Sequence, residues 1–97
     1  MKYTKIQQNA RTVTIPKAFM QWVCCDLDLS KKEIKLFIYL TTLLNSTNYT
    51  VINLKKIAFN MSMDYKDAKK ALDGLIDACV VLEGSDEYTE DGYKFLT

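Results

Sequence analysis

Two stretches of the chain repeat apolar residues at the spacing of an α-helix. Residues 65–78 place theirs at steps of three, one, three and one, which forms a single stripe: Ala68, Ala71, Leu72, Leu75 and Ile76. Residues 31–45 carry apolar side chains on nearly every face: Ile34, Leu36, Phe37, Ile38, Leu40, Leu43 and Leu44. The first pattern predicts a helix with one buried face, and the second predicts a central buried helix.

Polar residues ahead of three apolar segments predict where helices begin. Ser30 and Glu33 form a capping box, in which the serine oxygen accepts a backbone N–H and the glutamate reaches back. Asn53 and Asp64 are residue types that cap the starts of helices. The sequence therefore predicts the helices 31–45, 54–60 and 65–78, with a turn at 61–63.

The other apolar segments predict one more helix and several short strands. Pro16 precedes a helix over 17–25, whose Phe19 and Trp22 are expected to pack on the core or on a dimer partner. β-branched and aromatic residues predict the strands 12–15, 49–52, 80–82 and 93–96. We call the last two strands and the polar loop between them the C-terminal hairpin. The sequence thus predicts an α+β, mostly α domain over 12–97, preceded by a flexible basic arm over 1–11.

Composition agrees with one small globular domain. The chain has 97 residues, of which 48% are hydrophobic and 26% charged, and it has no run of about 18 apolar residues. The first residues lack the apolar core of a secretory signal, so we expect a cytoplasmic protein without a membrane segment. The three cysteines (Cys24, Cys25 and Cys79) are expected to be reduced and partly buried.

The residue inventory argues against catalysis and against bound metal. The chain has no histidine and three glycines, so it offers neither a Ser-His-Asp arrangement nor a glycine-rich phosphate loop. An odd number of cysteines without histidine makes a poor zinc site. We therefore expect a protein that is not an enzyme and needs no cofactor.

The net charge of +1 is the sum of two oppositely charged halves of the chain. Residues 1–60 hold nine Lys/Arg and three Asp/Glu, a net +6, whereas residues 61–97 hold four Lys and nine Asp/Glu, a net −5. The charge is thus strongly polarised along the chain, and a solvated acidic loop in the second half is as good an interpretation as a site for a basic partner.

The helix over 65–78 carries the candidate binding residues on the face opposite its apolar stripe. Tyr65, Lys66, Lys69 and Lys70 lie near its start, where lysines can contact phosphates and a tyrosine can meet base edges. Lys55 and Lys56 begin the preceding helix, which in a helix-turn-helix crosses the DNA backbone. These six residues are the candidate DNA-binding set.

The order of the motifs resembles a known family. The matching features are Ile15-Pro16-Lys17 through Leu29-Ser30, Ile34 to Leu40, Ile57-Ala58, Asp64, Lys70-Ala71-Leu72, Leu75 and the final apolar hairpin. Over about residues 13–96 the chain resembles the winged helix-turn-helix domain of Gram-positive plasmid and phage replication initiators and, more loosely, winged-helix transcription regulators. The resemblance implies binding of duplex DNA through the 65–70 surface, with the C-terminal hairpin as the wing.

The chain departs from that family at two glycines and in the charge of the wing. Ser62 and Cys79 occupy positions where these domains usually carry glycine. The wing of the family is often basic, whereas this hairpin carries five carboxylates: Glu83, Asp86, Glu87, Glu90 and Asp91. Carboxylates held near a phosphate backbone are repelled, most strongly at low salt.

Two classes of function follow from the sequence. In the first, a homodimer binds a specific duplex sequence in replication initiation or transcription regulation. In the second, the domain is a protein–protein interaction module that uses the five acidic residues to dock on a host protein or to pair head to tail with another copy. Unchanged DNA binding after charge reversal of the lysines would exclude the first.

Overall fold

The computed structural model describes residues 7–8, 13–87 and 89–96. The architecture is α+β and mostly helical, with two small antiparallel sheets, β1–β2 and β3–β4. In chain order the elements are β1 (Gln7–Gln8), β2 (Val13–Thr14), α1 (Lys17–Gln21), α2 (Lys31–Leu40), α3 (Leu54–Asn60), α4 (Tyr65–Asp77), β3 (Val81–Gly84) and β4 (Gly92–Phe95).

The predicted N-terminal arm lies mainly outside the described residues, including Lys2, Lys5 and Arg11. Within it, Gln7–Gln8 pairs antiparallel with Val13–Thr14, so this part is a strand rather than an unpaired segment. The expectation of a strand over 12–15 is confirmed at its centre.

Helix α1 continues into a wider π-helical turn over Trp22–Asp26, which closes with a bond from Leu27 N–H to Trp22 O. Phe19 of α1 is fully buried, and its ring lies 6.1 Å from that of Phe37 and 6.2 Å from that of Phe95. Because these three rings come from α1, α2 and β4, the two ends of the chain meet in one core.

Helix α2 begins as predicted but ends early. Glu33 N–H donates to Ser30 Oγ at 3.2 Å, and Ser30 N–H donates to Glu33 Oε1 at 2.9 Å, so the capping box is confirmed. The helix ends at Leu40 because Thr41 donates its hydroxyl to Ile38 O at 2.6 Å, and tighter turn bonds replace the helical ones.

The prediction that this helix is buried all round is wrong. Ile38 is 54% exposed, and Leu43, in the turn after α2, is 39% exposed. The buried positions Leu36, Phe37 and Leu40 occupy one side, which faces α4, and Phe37 also contacts Phe19 of α1. The tertiary arrangement covers that side alone.

Helices α3 and α4 end in the same way, at residues with left-handed backbone. Ser62 has φ 53° and Cys79 has φ 62°. After α3, Met63 N–H donates to Ala58 O and Ser62 N–H to Phe59 O; after α4, Val80 N–H donates to Leu75 O and Cys79 N–H to Ile76 O. These paired bonds form Schellman motifs, whose left-handed position glycine usually occupies.

The start of α4 differs from the prediction in one detail. Asp64 stands at the N-cap with extended backbone, yet its side chain accepts no capping hydrogen bond, so that part of the prediction is wrong. Asn53 does cap α3, accepting from Lys56 N–H at 3.2 Å. Asp67 lies in the first turn of α4 and favours its positive end.

The C-terminal hairpin pairs Val81 with Phe95 and Gly84 with Gly92. The predicted strand over 49–52 is reduced to one bridge, in which Thr50 exchanges backbone bonds of 2.9 and 3.0 Å with Tyr93. The N–H of the neighbouring Tyr49 donates to the carboxylate of Asp86 at 3.1 Å.

Candidate nucleic-acid interface

The face of α4 opposite its apolar stripe points outward, as the sequence predicts. Ala68, Ala71, Leu72 and Leu75 are buried, and the helix thereby turns its other side outward. That side carries the exposed candidate residues Tyr65, Lys66, Lys69 and Lys70, followed by the exposed Asp73 and Asp77. None of the three lysines makes an ion pair within 4.0 Å among the described residues, so their charges are available to a ligand.

Lys55 joins this surface, whereas Lys56 does not. The Nζ of Lys55 lies 5.8 Å from the ring centroid of Tyr65, which brings the first turn of α3 to the start of α4. Lys56, one position further round α3, lines a groove of about 330 Å³ with Tyr39, Leu43 and Val51. The six-residue candidate set therefore divides into five residues on one surface and one on another.

Helix α2 adds lysines that the sequence argument missed. Lys31, Lys32 and Lys35 line a shallow cavity of about 300 Å³ beside the start of α4, together with Asp64 and Asp67. Their spacing along the chain shows that they share a helix face, but only the packing of α2 against α4 brings that face here.

Two of these α2 lysines already serve the fold. Lys32 Nζ lies 2.8 Å from Asp67 Oδ2, in an ion pair whose side chains are 58% and 40% exposed. Lys35 Nζ donates to the carbonyl of Met61 at 3.0 Å, just beyond the end of α3. Lys32 thus connects α2 to the first turn of α4, Lys35 connects α2 to the turn after α3, and Lys31 is exposed beside them.

Carboxylates offset the positive charge of α4 toward the C-terminal end of the helix. Lys70 shares a groove of about 650 Å³ between α2 and α4 with Glu33 and the three aspartates Asp67, Asp73 and Asp77. Those four carboxylates offset the positive charge around Lys70. The first two turns of α4 are thus the surface best suited to an anionic ligand.

The C-terminal hairpin places carboxylates beside α4. Burial raises the pKa of the half-buried Tyr93 phenol, and the negative charges of Glu83, Asp73 and Asp91 raise it further. Glu83, Glu87, Glu90 and Asp91 are all exposed. A phosphate backbone would therefore be repelled from this side of α4.

Asp86 differs from the other hairpin carboxylates because it organises the loop. Its Oδ2 accepts from Tyr49 N–H at 3.1 Å, and its Oδ1 accepts from Thr89 N–H at 2.9 Å. Lys94 lies on the other side of this junction, with Nζ 4.7 Å from the centroid of the Tyr49 ring. A protein partner for the hairpin carboxylates stays a prediction, and Asp86 is the member already bonded within the chain.

The cysteines and the other acidic groups show no metal-binding arrangement in the part of the chain that is described. Cys24, Cys25 and Cys79 are free thiols and all are exposed, so the expectation that they are partly buried is wrong. Cys79 lies in the turn that follows α4, and Cys24 and Cys25 lie in the π-helical turn, whose buried residue is Val23.

Across residues 7–8, 13–87 and 89–96, no helix is both long and apolar enough to cross a bilayer. Comparison with known proteins found no family model, no curated protein and no solved structure that matches the chain.

Proposed function

We propose that this protein binds duplex DNA in a sequence-specific manner as a winged helix, with α4 as the recognition helix. The observation that carries the proposal is the exposed group of Tyr65, Lys66, Lys69 and Lys70 on the first turns of α4, opposite a fully buried stripe. The order α3, turn, α4, β3, β4 supports it, as does the sequence resemblance to replication initiators and transcription regulators.

The dimensions suit the major groove. An α-helix of 13 residues is about 20 Å long, and a groove about 12 Å wide admits such a helix. The lysines occupy its N-terminal half, which is the part that contacts base edges in helix-turn-helix proteins. Lys55 then supplies a further phosphate contact from α3.

The acidic hairpin restricts where the DNA can lie on the protein. Because Glu83, Glu87, Glu90 and Asp91 repel phosphates, the bound DNA contacts the N-terminal turns of α4 and stays clear of the hairpin. The hairpin is then a wing that stays off the backbone. Two copies bound to adjacent half-sites would supply the affinity that a single small module lacks.

The test is a salt titration of duplex binding. Neutralisation of four phosphates by Lys55, Lys66, Lys69 and Lys70 predicts a log–log slope of about −3.6 per subunit. The variant K66E/K69E should weaken binding and leave a slope of about −1.8. Fluorescence anisotropy at about 50–200 mM salt measures both, with the DNA upstream of the gene and an unrelated duplex as ligands.

The matched control is K17E/K56E, which changes the net charge equally but lies away from the α4 surface. Its slope should equal that of the wild type. Equal losses in the two double variants would mean that total charge, and not α4, governs binding. Absence of duplex binding by the wild-type protein at about 50 mM salt would reject the proposal.

A further inference from the structure

Among the described residues, Phe59 is the most exposed of the large hydrophobic side chains, at 82%. It lies on the outer face of α3, where Ile57 and Ala58 are buried on the inner side. A phenylalanine at this exposure contributes little to the core, and it is a poorer helix former than alanine. The fold therefore gives no reason for an aromatic residue at this position.

The helix beneath Phe59 is firmly held. Asn60 Nδ2 donates to the Tyr39 hydroxyl at 3.0 Å, and Lys35 donates to the Met61 carbonyl at 3.0 Å. Both bonds tie the end of α3 to α2. Phe59 is thus an exposed ring on a rigid support, which limits the conformational entropy that a ligand must remove on binding.

The charge around Phe59 is uniformly positive along α3. Lys55 precedes it by one helical turn on the same face, Lys56 lies alongside, and the helix has no carboxylate. Lys55 also reaches the exposed ring of Tyr65. Lys55 therefore lies between two exposed aromatic residues and links Phe59 to the proposed DNA-binding surface.

We propose that Phe59, Lys55 and Tyr65 form a strip that binds unpaired nucleotides, with bases stacked on the rings and phosphates against the lysine. The inference rests on the proposed function, because it extends the same surface from duplex to single-stranded DNA. Bases inside a duplex are stacked on one another, so unpaired bases alone offer their faces to a protein ring. The strip therefore complements a ligand that has flat apolar faces and regularly spaced negative charges.

The experiment measures binding of a fluorescein-labelled oligothymidylate of about 12 nucleotides by anisotropy. F59A should weaken binding about tenfold, which corresponds to the loss of one stacked base, and should leave duplex affinity within about twofold. F59L, which is apolar but lacks a π-face, should be as weak as F59A. F59W should bind like the wild type, and its added tryptophan fluorescence should be quenched on binding.

V51A is the matched control, since Val51 is an exposed apolar residue (66%) that lies outside the strip. It should bind oligothymidylate as the wild type does. Wild-type affinity in F59A or F59L would overturn the inference. So would self-association of the wild type in sedimentation velocity that F59A abolishes, because Phe59 would then be a protein contact.

The two proposals can fail separately. Duplex binding that K66E/K69E weakens, without any oligothymidylate binding, would overturn the strip and leave the proposed function intact. Oligothymidylate binding that depends on Phe59, without any duplex binding, would overturn the proposed function alone. Circular dichroism of each variant confirms that it is folded, which the exposure of Phe59 leads us to expect.

Discussion

Glycine at positions 62 and 79 is expected to stabilise the protein. Both residues have left-handed backbone, with φ 53° for Ser62 and 62° for Cys79, and both hold the Schellman motif that ends a helix. In that conformation the Cβ crowds the following carbonyl oxygen, which costs an L-residue about 1–2 kcal/mol. Glycine avoids this cost because it has no Cβ.

The net gain is smaller than the relieved strain. Glycine loses more backbone entropy on folding, which subtracts about 0.5–1 kcal/mol. Each substitution should therefore raise the free energy of unfolding by about 0.5–1 kcal/mol, from the difference of these two terms. The two positions share no hydrogen-bond partner, so S62G/C79G should gain about 1–2 kcal/mol. For a domain of this size, the melting temperature should rise by about 4–8 °C per kcal/mol.

Urea unfolding followed by far-ultraviolet circular dichroism measures the effect. S62A and C79A are the controls, because they remove the hydroxyl or thiol and keep the Cβ. They should show no comparable gain. If the glycine and alanine variants shift the midpoint equally, backbone strain is not the cause and the reasoning is refuted.

Two further predictions concern contacts within the fold. Gly74 lies so close to Glu33 that a Cβ at position 74 would overlap the Glu33 carboxylate. G74A should therefore leave the stability of the wild-type protein nearly unchanged, because the gain in helix propensity of about 1 kcal/mol is offset by disruption of the capping box. In the E33A background, which has no capping box to disrupt, G74A should give that gain in full. An equal effect in both backgrounds, measured by urea unfolding, would contradict this coupling. The pKa of Tyr93 lies above its ordinary 10.0, so the unfolded chain loses this proton first, and stability should fall as pH rises through and beyond 10.0. Y93F should lessen that fall between about pH 9 and pH 11, and an identical pH profile for Y93F and wild type would exclude Tyr93 as its source.

Local signals gave the helices and the exposed face of α4. The capping box at Ser30 and Glu33, the cap at Asn53 and the apolar stripe of α4 depend on residues within a few positions of one another. Interactions of that range can be predicted from the sequence, because helical geometry alone decides which side chains meet. The outward position of Lys66 and Lys69 follows from the same periodicity.

Contacts between distant segments could not be predicted in this way. The exposure of Ile38 and the reduction of the 49–52 strand to one bridge depend on which segments pack against them. The separation of Lys56 from Lys55 depends on where α3 packs against α2 and α4. Helical geometry already turns the two adjacent lysines about 100° apart, and packing decides which surface each one joins.

The sequence by itself determined the helical segments, their starts, the polarity of charge along the chain and the lysine face of α4. It also identified Ser62 and Cys79 as unusual, and the tertiary structure supplied the reason, a left-handed backbone at two helix ends. The structure alone decided that Asp86 bonds within the hairpin junction, that α2 lysines border α4 and that Phe59 is exposed on a fixed helix. Periodicity specifies the inner and outer sides of each helix, whereas the packing of helices on one another specifies which outer sides form a common surface.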